Sequence, residues 1–164
     1  MLLEFRVRNY RSFGEEQSLS LVASPNQELL SSNTILSEGK PVFRTVRSAV
    51  IYGANASGKS NLIRSIQLMR GVVLESVLLR PDQPYNVQTF QLSNTLKDKP
   101  TLFEVTVLLR GIRYQYGFEF TPSRIVSEWL LVYEKSKPQR WKNVETTAST
   151  QGWVRRNETP ATPQ

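Results

Sequence analysis

The chain has 164 residues, 39% of them apolar, and a net charge of +7; that length supports one domain, at most two, around a real core. It has no cysteine and no histidine, which excludes a disulfide scaffold, cysteine-ligated metal and imidazole catalysis and fits a cytoplasmic setting. No run approaches the roughly 18 apolar residues of a membrane span, so no membrane association is expected, and the charged opening Met1–Arg6 reads as a strand rather than a signal peptide.

In chain order, Leu3, Phe5 and Val7 alternate with Glu4, Arg6 and Arg8, the pattern of a half-buried strand. A turn over Asn9–Gly14 and renewed alternation over Ser18–Val22 predict a hairpin. Residues 24–40, rich in Ser, Asn, Gln and Gly, are expected to form a long loop with at most one short turn of helix. Ser48–Tyr52 is a short apolar run ending at Gly53, expected to be a parallel strand buried on both faces. From Gly58 a helix is predicted, with Leu62, Ile66, Met69, Val73 and Val77 as its core stripe and Arg80-Pro81 as its end.

Thr101–Leu109 is β-rich, Arg110-Gly111 is a tight turn, and Ile112, Tyr114, Tyr116, Phe118 and Phe120 alternate with polar residues or glycine. After a turn at Thr121–Ser123, a third strand is predicted over Arg124–Glu134, making an antiparallel meander. Residues 1–134 are therefore one lobe, and 135–164 a basic C-terminal segment expected to be flexible. Between Lys135 and Arg156 six basic residues face one acid. That density suits either a solvated tail or a nucleic-acid backbone held by counterion release.

The most specific signal is Gly53-Ala54-Asn55-Ala56-Ser57-Gly58-Lys59-Ser60. Glycines let the backbone wrap a phosphate with N–H groups inward, and the following helix adds its positive dipole end. In this pattern Lys59 reaches the β- and γ-phosphates and the Ser60 hydroxyl ligates Mg²⁺. The expected ligands are thus ATP and Mg²⁺, held by Gly53, Asn55, Ala56, Ser57, Gly58, Lys59, Ser60 and Asn61. Lys59 is the candidate catalytic residue and Ser60 the metal ligand.

The form Gly-x-Asn-x-x-Gly-Lys-Ser-Asn resembles the loop of the ABC-type ATPase heads of SMC proteins, RecF and the bacterial OLD-like ATPases. Those heads usually carry Gly where this chain has Ala56, a departure expected to keep φ negative there. Asn9-Tyr10-Arg11-Ser12-Phe13 is similar to the end of their opening strand, which implies that Arg11, with Ser12, approaches the nucleotide phosphates. Thr101-Leu102-Phe103-Glu104-Val105, Tyr114–Phe118 and Glu128-Trp129-Leu130 resemble the meander of bacterial ATPases often filed with abortive-infection and phage-defence systems. The fold implied is an α/β P-loop NTPase lobe with a parallel core strand, a phosphate-loop helix and an antiparallel meander.

The resemblance further implies a second head as homodimer partner, an effector protein, and DNA as a candidate partner. An apolar strand ending in Asp-Glu and a Leu-Ser-x-Gly signature, both expected of such heads, are absent from the sequence. The chain is accordingly expected to be the N-terminal part of a longer head that binds ATP but turns it over slowly. Two other classes stand beside this one. A GTPase would need Asn-Lys-x-Asp and a small-molecule kinase an arginine-rich lid, neither of which is seen. A DNA-binding module with a vestigial loop would rest on the basic tail alone.

Overall fold

In the computed structural model, residues 1–25, 29–38, 42–75 and 84–133 are described, together with the backbone of strands at 141–145, 148–149 and 152–153. In chain order the elements are β1 (Leu2–Arg8), β2 (Gln17–Ser20), α1 (Leu30–Asn33), β3 (Thr34–Leu36), β4 (Arg44–Val46) and α2 (Lys59–Glu75). They continue with β5 (Thr101–Leu109), β6 (Ile112–Phe120), β7 (Ile125–Tyr133), β8 (Trp141–Glu145), β9 (Ala148–Ser149) and β10 (Gly152–Trp153). The main sheet has the order β2-β1-β5-β6-β7-β8, with every pairing antiparallel. Two further two-stranded ribbons are formed, β3-β4 and β9-β10.

The alternation read from sequence sets the sheet's two faces. On one face Phe5, Val7, Phe103, Phe118 and Phe120 are buried and packed with Tyr10 and with Met69 and Val72 of α2. Phe103 has Phe5, Tyr10, Phe118 and Phe120 around it at ring-centroid distances of 5.4–6.2 Å, edge-on or tilted, the arrangements that ring quadrupoles favour. Tyr116 lies on this face, and its hydroxyl donates to Glu128 Oε1 at 2.5 Å. Burial first, then that bond, pushes its phenol well above the usual range.

The opposite face carries the charged residues. Arg6 pairs with Glu4 at 3.2 Å and Glu104 at 3.5 Å, and Arg8 with Glu119 at 2.5 Å. The Trp129 indole lies across Gly117 to donate to Glu104 Oε2 at 2.8 Å, where a Cβ on Gly117 would come within 2.4 Å of the ring.

The expected meander is present, and the two-residue turn joining β5 to β6 has positive φ at Arg110 (50°) and Gly111 (72°). That is the backbone sense which matches strand twist in a tight hairpin. The hairpin of β1 and β2 also forms.

Three expectations are corrected. The parallel strand over Ser48–Tyr52 is absent: among the described residues every strand pairing is antiparallel, and Val50 and Tyr52 are 84% and 90% exposed. An apolar run records a preference for pairing but supplies no partner, and the main sheet is built from the β1-β2 hairpin, the β5-β6-β7 meander and β8. The loop over residues 24–40 holds the short turn of helix allowed for it, α1, and departs from the expectation in carrying the strand β3. On α2 the core stripe turns at Met69 to Val72 rather than Val73, which is 43% exposed. Both positions lie within one helical turn of Met69, so the 3.6-residue period alone does not choose between them. Val77 and the expected end at Arg80-Pro81 lie outside the described residues.

Candidate functional site

α2 begins at Lys59, so the glycine-rich segment is the loop that leads into its first turn. Gly58 has φ 96°, and its carbonyl accepts from the N–H of Asn61 at 2.9 Å and of Leu62 at 3.2 Å, starting the helix. Ala56 has φ 64°. This corrects the expectation of a negative φ: the loop demands a left-handed residue there, and alanine takes that conformation at a cost of roughly 1–2 kcal/mol.

Lys59 folds back into the loop. Its Nζ donates to the carbonyls of Gly53 at 2.8 Å and Ala54 at 2.6 Å. The ammonium therefore sits at the loop's centre, held by neutral carbonyls that an anion can displace. The Ser60 hydroxyl is exposed and makes no hydrogen bond among the described residues, so its lone pairs are available. Lys59, Ser60 and the loop thus fit a triphosphate with one bound Mg²⁺. Among the described residues no group of three or more His, Cys, Asp or Glu side chains could hold a metal unaided, so Mg²⁺ here would come with the phosphates.

The turn after β1 packs against this loop. Tyr10 and Phe13 exchange backbone hydrogen bonds at 2.9 and 2.8 Å around Arg11-Ser12. Ser12 Oγ accepts from Asn61 Nδ2 at 2.9 Å, and a Cβ on Gly58 would stand 2.7 Å from that same oxygen. Ser12 and Asn61 are therefore joined beside Gly58. Arg11, with φ 50°, lies in the same turn beneath a cleft, its guanidinium 5.6 Å from the Tyr10 ring centroid. Its Nε is buried with no hydrogen-bond partner. Asn55, Ala56 and Ser57 are exposed on the loop itself.

The cleft encloses about 840 Å³ and opens beside Arg11, Ser12 and Asn61. Its far wall is the segment from Val87 to Lys99, which sequence reasoning left without a role. That wall is fastened by Asn9, 1% exposed with φ 53°. Asn9 Nδ2 donates to the carbonyls of Leu96 and Lys99 at 2.7 Å each, and its Oδ1 accepts from the Phe90 N–H at 3.1 Å. The Arg11 N–H adds a bond to the Gln88 carbonyl at 2.9 Å. These links join residues some 80–90 positions apart, and nothing local in the sequence announces them.

The family model described as "AAA domain, putative AbiEii toxin, Type IV TA system" matches residues 48–148. The match takes in the phosphate loop, α2 and the meander. No curated protein matches the chain.

Proposed function

As the chain belongs to this family of AAA domains, P-loop domains of the ATPase type, we propose that it binds Mg-ATP through Gly53–Ser60, with Lys59 on the β- and γ-phosphates and Ser60 on the metal. The observation that carries this reading is the position of Lys59 Nζ, folded into the loop on the carbonyls of Gly53 and Ala54. A triphosphate replaces those two neutral partners with charged ones, and charge-assisted hydrogen bonds are about twice as strong as neutral ones. Arg11, in the turn that abuts the loop, adds a second cation toward the phosphates.

The role we assign is that of an ATPase lobe whose nucleotide state gates a partner protein in DNA maintenance or phage defence. The resemblance of the loop and meander, and the toxin–antitoxin description of the family, support it. A second head and an effector are the partners this implies. Hydrolysis by the chain alone is slow, since the sequence lacks the acidic pair that positions an attacking water, and phosphoryl transfer depends on such positioning.

The test is calorimetric titration of Mg-ATP into the chain and into Lys59→Ala. The expected result is saturable binding that weakens about a hundredfold or more in the variant. Equal affinity in the two proteins would refute the assignment of the loop.

A further inference from the structure

The cleft beside the loop has a chemistry of its own. Val87 and Pro122 supply apolar surface, and Gln88, Gln91 and Asp98 supply polar ends. The Gln88 side chain makes no hydrogen bond among the described residues. Gln91 spends its Nε2 on Thr89, at 3.0 Å from both the carbonyl and the hydroxyl, and keeps its Oε1. Thr89 in turn donates to the Lys97 carbonyl at 2.9 Å. The wall is therefore held in shape by its own hydrogen bonds and by buried Asn9, while the Gln88 amide, the Gln91 Oε1 and the Asp98 carboxylate remain uncommitted. Preorganised polar groups on a partly apolar wall are the usual make-up of a small-molecule compartment, and the volume falls in its usual range.

Position decides what enters. Ser12 and Asn61 belong to the cleft and also to the loop, since Ser12 Oγ lies against Gly58 and Asn61 follows Ser60 directly. A ligand with phosphates on the loop has this cleft as its adjoining space. We propose that the cleft holds the nucleoside half of the bound nucleotide, with Gln88 and Gln91 reading the edge of the base and Asp98 accepting from a ribose hydroxyl. A primary amide presents one donor and one acceptor side by side, the complement of the adenine edge, and a carboxylate on a ribose hydroxyl is a recurrent dinucleotide contact. Gln88 and Gln91 are then specificity-determining residues that leave the phosphates to the loop. This rests on the phosphate-loop reading, and the experiment separates the two.

The probes are Mg-ATP and inorganic tripolyphosphate, titrated into the 164-residue chain and into the double variant Gln88→Ala/Gln91→Ala. Both positions are exposed, and thermal melting checks that the variant folds. The expected outcome is ATP affinity down about tenfold with tripolyphosphate affinity unchanged, the loss of one good amide-to-base pairing. ATP affinity unchanged in the variant places the nucleoside elsewhere and overturns the inference while the loop stands. Equal losses for ATP and tripolyphosphate make the cleft a phosphate subsite and also overturn it. A single-stranded oligonucleotide that binds the wild type, is lost in the variant and leaves ATP affinity untouched identifies a nucleic-acid backbone as the occupant, a third refutation. A wild-type chain that binds neither probe refutes the loop assignment itself.

Discussion

Gly58→Ala tests how the β1 turn and the loop depend on each other. At φ 96° an alanine sits outside the left-handed well, a strain of roughly 1–3 kcal/mol. The added Cβ would lie 2.7 Å from Ser12 Oγ and 3.3 Å from a Phe13 ring carbon. Ser12 must then withdraw, which breaks its 2.9 Å bond from Asn61, about 1 kcal/mol for a neutral hydrogen bond. Together these amount to about 2–4 kcal/mol against the loop geometry, and at 1.4 kcal/mol per decade ATP affinity should fall by roughly 30-fold or more. Gly71→Ala is the control, because a Cβ there meets nothing within 4 Å. In mid-helix it should leave affinity alone and stabilise by up to about 1 kcal/mol. Titration calorimetry with Mg-ATP and a thermal melt on both variants decide it. Affinity within about twofold of wild type in Gly58→Ala would show that the turn does not brace the loop.

Ala56→Gly should relieve the left-handed strain at φ 64° and, after the entropy that glycine adds to the unfolded chain, come out neutral to about 1 kcal/mol stabilising; a lowered melting temperature would contradict this. Ser60→Ala should weaken ATP binding in Mg²⁺ and leave binding in EDTA nearly unchanged, because a hydroxyl on the metal matters only when the metal is present. Equal losses in both media would remove Ser60 from the metal. Asn9→Ala removes a buried amide that donates to the carbonyls of Leu96 and Lys99 and accepts from Phe90, and leaves alanine at φ 53°. The expected cost is about 3 kcal/mol or more, read as a lower urea midpoint, and a midpoint unchanged from wild type would show that the cleft wall stands without it.

The sheet was legible because its signal is local. Alternation over Ile112–Phe120 needs only neighbouring positions, and Arg110-Gly111 declares its turn in two residues. The loop was legible for the same reason, as eight consecutive residues followed by a helical period. What stayed hidden depends on residues far apart in sequence. Asn9 reads as one polar residue at the end of a strand, yet its amide ties β1 to residues 90–99. The cleft is made by such ties and so has no motif. Ala56 misled because a side chain's steric preference was set against a loop geometry that overrode it. Ser48–Tyr52 misled because an apolar run states what a strand would bury and not what pairs with it.

The loop's own energetics follow from where it stands. On one face of α2, Met69 and Val72 are buried against the sheet, while Ile63, Val73 and Leu74 are exposed, as are Val50 and Tyr52 just before the loop. The sheet therefore fixes the helix but not the segment that feeds it. Among the described residues the bracing of the loop comes from Ser12 and Phe13 against Gly58, from Asn61, and from Lys59 across to Gly53 and Ala54. Two residues with positive φ, Ala56 and Gly58, hold the backbone curved around the ammonium. On the proposed reading, phosphate entry exchanges the partners of one lysine, and the curvature already present is a cost met in folding rather than in binding.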